Sequence, residues 1–83
     1  MADFNKAIEL DPQLANAYAN RGIIYKAQDE LDLAIADYTQ AIELDPQFAV
    51  AYVNRGNAYQ AQDHQDLAIA DYTQAIALVG HVA

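Results

Sequence analysis

Cysteine, serine and tryptophan are absent from the 83 residues, and there are only 3 glycines, 2 prolines and 4 lysines and arginines. Without cysteine there is no disulfide framework, no thiolate nucleophile and no thiolate zinc site, so packing alone has to hold the fold. Without serine or a glycine-rich loop, the common nucleophile and nucleotide-binding motifs have no starting residue. The few basic residues face 12 acidic ones, and a formal charge of −8 repels phosphate backbones and acidic lipid surfaces. Neither nucleic acid nor a membrane is expected as a partner. No 18 consecutive apolar residues occur, and the opening MADFNKAIEL lacks the positive flank and unbroken apolar core of a signal peptide. The expectation is a soluble, unanchored chain, read as cytoplasmic, although nothing in the sequence names the compartment. A chain of this length makes about one small domain, which leaves no room for a multidomain enzyme.

What is present is periodic. Pro12 and Pro46 lie 34 residues apart, as do Gly22 and Gly56, and residues 11–44 align with 45–78 with only nine differences. The register extends backward, because residues 2–10, ADFNKAIEL, match 36–44, ADYTQAIEL. The chain therefore reads as a single array over 1–83. Residues 1–10 form the second helix of a partial repeat, 11–44 and 45–78 form two periods, and 79–83 form a tail.

Each period carries helical signals. There are 18 alanines, and Tyr18, Arg21, Gly22 and Tyr25 recur at helical spacing, as do Leu31, Ala34, Ile35, Tyr38, Ala41 and Ile42. Asp11-Pro12 and Asp45-Pro46 are expected to open the first helix of each pair, with the Asp as cap. A break at Ala27-Gln28-Asp29 and Ala61-Gln62-Asp63 predicts a turn, after which Asp32 and Asp66 complement the dipole of a second helix. Gly80 is expected to end the last helix. Gly22 and Gly56 mark close helix approaches. Tyr18, Tyr25, Tyr38, Tyr52, Tyr59 and Tyr72 read as core rather than as a ligand-stacking ladder.

The pattern Tyr18-Ala19-Asn20-Arg21-Gly22-Ile23-Ile24-Tyr25, followed by Ala34, Tyr38, Ala41 and Pro46 and repeated at 34 residues, resembles the tetratricopeptide repeat (TPR) family. Three features depart from the family pattern. Arg21 and Arg55 stand where leucine precedes the glycine, Asp29 and Asp63 replace the turn glycine, and Val79-Gly80 replace an Asp-Pro leading into a further repeat. The resemblance implies an all-α, right-handed α-α superhelix, a TPR solenoid of about five helices in antiparallel pairs. It also implies a protein-interaction scaffold or adaptor that binds a peptide or protein segment in a concave groove lined by the first helices. No enzyme activity, cofactor or metal is expected.

Helical arithmetic places Asn16, Asn20, Ile23, Lys26, Val50, Val53, Asn54, Asn57 and Gln60 in that groove, together with Ala19, Ala27 and Ala61. Asn20, Asn54 and Asn57 offer donors and acceptors to a peptide backbone, while Ile23, Val50 and Val53 offer apolar contact. The alternative is that all of these are solvated helix residues. The carboxylate clamp of chaperone-binding relatives uses Lys, Asn and Arg. Asn20-Arg21 and Asn54-Arg55 match its Asn-Arg pair, but Ala19, Val53, Asn16 and Val50 stand where its lysines would, so the clamp is not expected. Arg21 and Arg55 read instead as structural, with their heads reaching a carboxylate of the second helices. Asp37, Glu43 and Asp71 read as a solvated acidic face.

Repeats of this kind bury their apolar faces by stacking, and about three are normally needed. A second reading is therefore a self-assembling structural module, a homo-oligomer formed by end-to-end stacking or helix exchange through Phe4, Ile8, Tyr72, Ile76, Leu78 and Val79. A piece cut from a longer array would have the same bare ends. His64 and His81 are the only histidines, and a lone His beside turn carboxylates is no metal site.

Overall fold

Two antiparallel helix pairs, stacked side by side, make up residues 14–80, which are the residues the computed structural model describes. The helices are α1 (Ala15–Ala27), α2 (Leu31–Leu44), α3 (Ala49–Ala61) and α4 (Gln65–Val79). The expected helix over 1–10, with Phe4 and Ile8, lies outside the described residues, as do Asp11-Pro12 and the tail beyond Gly80. Helix α1 packs on α2, α3 packs on α4, and the pairs join mainly through α2 against α3. A helix thus meets its immediate neighbours and little else, the one-dimensional logic of a solenoid.

The expected turns after α1 and α3 are present, and they are tight for a definite reason. Asp29 and Asp63 take left-handed backbone angles, with φ of 62° and 65°. This lets the Glu30 amide donate to the Tyr25 carbonyl at 2.8 Å and the His64 amide to the Tyr59 carbonyl at 2.9 Å. Each closes a Schellman motif that satisfies the last carbonyls of its helix. An L-residue pays for the left-handed angle and glycine does not. Asp29→Gly and Asp63→Gly are each expected to stabilise the fold by a few tenths to about 1 kcal/mol. Urea denaturation would show it, and a loss of stability would mean that the Asp side chains contribute something the geometry does not reveal.

Asp32 and Asp66 do sit in the first turns of α2 and α4. The expectation for Asp45-Pro46 needs correction. Helix α3 begins at Ala49 and its N-cap, Phe48, makes no side-chain cap. Asp45 instead caps the end of α2, and its Oδ1 accepts from the Gln47 amide at 3.2 Å while the Phe48 amide donates to the Asp45 carbonyl at 3.0 Å. Asp followed by Pro suits the first two positions of a β-turn, and that local bond wins over capping a helix three residues on.

The core is built from small residues. Ala19, Ala41, Ile42 and Ala51 form one cluster with Tyr18, Phe48 and Tyr52 against it, and Ala34, Tyr38 and Ala58 form another with Tyr25 and Ile35. Gly22 makes the second cluster possible, since a Cβ there would lie 2.7 Å from Tyr38 Cε1, and at Gly56 it would lie 2.8 Å from Tyr72 Cε1. The tyrosine ring therefore lies flush on the backbone of the partner helix. Gly80 does end α4, at φ −108° rather than in the left-handed region.

Candidate functional site

Helices α1 and α3 lie side by side, and the residues they present between them form a shallow cleft of about 290 Å³ lined by Ile23, Lys26, Ala27, Tyr38, Asn54 and Asn57. Four of the nine residues assigned to the groove from sequence come together here. Asn16 and Asn20 are exposed on α1 but do not line the cleft, and Gln60 lies one turn beyond it. Asn57 is partly committed, because the Tyr72 hydroxyl lies 2.5 Å from its Oδ1 and 3.1 Å from Gln60 Oε1. That bond engages the oxygen of the Asn57 amide, whose NH₂ is a donor.

The structure separates Val50 and Val53 from this cleft. They line a second one, about 460 Å³, with Ala49, Tyr72, Ala75, Ile76 and Val79 on the α3–α4 end of the stack. Ala19 is not a groove residue either, because it is only 4% exposed beneath Ala41, Ile42 and Ala51. Its repeat partner Val53 is 38% exposed. The position thus faces the next helix pair where one follows and solvent where none is described. Tyr38 is the cleft residue that periodicity does not flag, since a core tyrosine at helical spacing carries no sign that its edge reaches a surface.

The arginines are held firmly. Arg21 Nε and Nη2 donate to Asp37 Oδ2 and Oδ1, each at 2.8 Å, and Arg55 makes the same fork with Asp71, also at 2.8 Å. The Arg21 guanidinium sits 5.7 Å from both the Tyr18 and Tyr25 ring centres, and Arg55 sits 5.5 Å from Tyr52 and 5.8 Å from Tyr59. Arg55 Nη1 also donates to Thr39 Oγ1 at 3.2 Å, which ties the second pair to the first. The paired Asp37 and Asp71 raise the arginine pKa values above the ordinary level, working against the burial that lowers them. A guanidinium sandwiched between two aromatic faces and forked onto a carboxylate is a fixed structural part.

Two sequence expectations are settled by this arrangement. The structural role of Arg21 and Arg55 holds, with the carboxylates supplied by the second helices. The solvated role of Asp37 and Asp71 does not, because both are only 5% exposed. Periodicity puts them on the edge of the polar stripe, and the arginine of the facing helix pulls them under cover. Both arginine forks are thus engaged on carboxylates of the second helices.

The repeat, the helix pairs and the glycine–tyrosine contacts meet a family pattern directly. The family model described as Tetratricopeptide repeat matches residues 15–48, and a second of the same description matches residues 37–70. The chain belongs to the tetratricopeptide repeat family. Among solved structures, the TPR array is similar to MamA, with a TM-score of 0.87 and 32% identity over 90% of this chain and 44% of that one. A second MamA structure gives a TM-score of 0.86 and 29% identity over 96% of this chain and 46% of that one. YrrB, described as a TPR protein with an unusual peptide-binding site, gives 0.88 and 33% identity over 92% of this chain and 39% of that one. The array spans less than half the length of each of these structures. A search of curated proteins gives no match.

The expected all-α TPR solenoid is therefore the observed one, with four helices among the described residues. None of them is long and apolar enough to cross a membrane. Among the described residues no three His, Asp or Glu gather as metal ligands.

Proposed function

We propose that this TPR chain is a protein-interaction scaffold that receives an extended peptide segment in the cleft between α1 and α3. The observation that carries the reading is the convergence of Ile23, Lys26, Asn54 and Asn57 on one concave surface. Ile23 supplies apolar contact, Asn54 and Asn57 supply amide groups for the peptide backbone, and Lys26 is the one cation in the lining. The peptide-binding description of YrrB, which is 33% identical, supports the same use of the fold. No catalytic step is assigned to the chain, since the family's usual task is to hold another protein and the cleft presents no nucleophile paired with a base.

Panning the 83-residue chain against a displayed peptide library, then measuring the selected peptide by calorimetry, tests the proposal. Asn54→Ala is expected to weaken binding about tenfold, the scale of one lost hydrogen bond with its partner left unpaired, while the melting temperature barely changes. Asn20→Ala, outside the lining, is expected to change affinity less than twofold. Equal affinity for wild type and Asn54→Ala would overturn the cleft as the binding surface.

A further inference from the structure

The two periods seat the same tyrosine in the same way and treat its hydroxyl differently. A Cβ on Gly22 would lie 2.7 Å from Tyr38 Cε1, and one on Gly56 would lie 2.8 Å from Tyr72 Cε1, so the two rings occupy equivalent places. In the second period the Tyr72 hydroxyl meets two acceptor oxygens, Asn57 Oδ1 at 2.5 Å and Gln60 Oε1 at 3.1 Å. One period earlier those places hold Ile23 and Lys26, two of the nine differences between the periods. Isoleucine offers no hydrogen-bonding group and an ammonium offers only donors, so neither side chain can accept from Tyr38. The Tyr38 hydroxyl makes no hydrogen bond with the described residues, although the residue is only 1% exposed. Among the described residues no fully buried side-chain oxygen lacks a partner, so this hydroxyl touches solvent, and the α1–α3 cleft is the surface that Tyr38 lines. Burial pushes its pKa up to about 12, which keeps the proton it can donate.

Lys26 stands in the same position. It is half-buried in the cleft and pairs with no carboxylate among the described residues, in a chain that has 12 acidic residues. Neither α1 nor α3 contains an acidic residue, and none lines the cleft. Asn57 adds a third donor, since its oxygen is engaged by Tyr72 and its NH₂ is not. We propose that this part of the cleft binds a carboxylate of the bound peptide, held by the Lys26 ammonium, the Tyr38 hydroxyl and the Asn57 NH₂. The assignment rests on the reading of the cleft as a peptide site and narrows it to one class of segment. A backbone carbonyl is neutral, whereas a carboxylate brings two oxygens for the several donors and a charge for Lys26. The formal charge of −8 sets the other limit, because it repels a run of acidic residues. The segment that fits carries a single carboxylate among neutral residues, with Asn54 left for its backbone. The lysine positions of the chaperone-binding clamp lie elsewhere, at Asn16, Ala19, Val50 and Val53.

An array of synthetic peptides, probed with the 83-residue chain, tests it. Each sequence is made with Glu and with Gln at one internal place, and with a free and an amidated C-terminus, and the strongest binder is then measured by calorimetry. Binding is expected to favour the carboxylate over its amide at least about tenfold, and the pair that shows the preference tells a side chain from a chain end. Lys26→Gln gives Tyr38 the acceptor that Gln60 gives Tyr72, and it is expected to reduce the preference below about twofold, while Lys26→Arg keeps most of it. Tyr38→Phe is expected to cut the preference about fivefold with the melting temperature barely changed, because the hydroxyl has no hydrogen bond to lose in the free protein. Binding that needs Asn54 but ignores both carboxylates would overturn the assignment and leave the peptide cleft standing. So would a preference that survives in Lys26→Gln, or in full in Tyr38→Phe. No Asn54-dependent binding by any peptide of the array would overturn the peptide cleft and the carboxylate together.

Discussion

Replacing Tyr38 with alanine is expected to cost about 3–5 kcal/mol and to leave a large fraction of the chain unfolded at room temperature. Among the described residues Tyr38 is the largest fully buried side chain, at 1% exposure, and its ring lies against Gly22, Ala34 and Ala58. Gly22, Ala34 and Ala58 have little or no side chain with which to fill the space it would leave, and only the partly buried Tyr25 and Ile35 could lean in, so most of the cavity would persist. A chain of this length has roughly 4–12 kcal/mol in total, so the loss is a large share of it. Tyr72→Ala is the internal control. Tyr72 sits against Gly56 in the same way but has no described helix following over it, and about half the loss is expected. Urea denaturation followed by circular dichroism measures both, and equal losses would contradict the coverage argument.

The same residue has an alkaline signature. Burial, aided by the Asp37 charge, pushes the Tyr38 hydroxyl from 10.0 up to about 12. Its folded value lies above its unfolded one, so its contribution to stability is complete below pH 10 and is lost as pH rises through about 12. Tyr38→Phe is expected to make that part of the alkaline decline disappear while keeping the ring. If Tyr38→Phe declined between pH 10 and 12 as steeply as wild type, the loss would have to come from other groups.

Removing one member of an Arg–Asp pair is the second large effect. Asp71→Ala leaves the Arg55 guanidinium between Tyr52 and Tyr59 without that counter-charge, and Asp37→Ala removes the fork that Arg21 makes on α2. Breaking a fully buried pair costs about 3–5 kcal/mol, and because the arginine side chains keep 22% and 18% exposure, about 2–3 kcal/mol is expected. Replacing both partners, Arg55→Leu with Asp71→Leu, is expected to recover most of the loss, because no charge is then left unpaired. Arg55→Lys is expected not to rescue, since an ammonium group cannot fork onto Asp71 and reach Thr39 together. Chemical denaturation of wild type, Arg55→Leu, Asp71→Leu and the double variant gives the coupling. Additive single and double losses would mean that the pair acts as an exposed surface bridge.

Much of the architecture was legible because helical repeats carry their instructions locally. The spacing of Tyr18, Arg21, Gly22 and Tyr25 marks an inner face, the 34-residue period marks the helix pair, and Asp29 marks a turn that the backbone then enters at φ 62°. Half of the candidate site was legible by the same arithmetic. Ile23 and Lys26 of α1 and Asn54 and Asn57 of α3 line one cleft, while Asn20 and Gln60, the repeat equivalents of Asn54 and Lys26, do not. Val50 and Val53 do not join them, because one helical stripe borders both the concave cleft and the stacking face. An angle on a helical wheel does not say which neighbour is present.

The sequence by itself determined the family, the helix pairs and the positions where backbones must come close, since these depend on side-chain size and period within a single repeat. Only the tertiary structure decided which copy of each residue is covered. Ala19 and Val53, Ile42 and Ile76, Tyr38 and Tyr72 hold equivalent places and differ in exposure because α3 lies over the first of each pair and no described helix lies over the second. It also decided that Asp37 and Asp71 are buried, because the charge that makes their burial tolerable stands 16 residues away on another helix. Burial is a property of the stack, and local period records only the direction in which a side chain points.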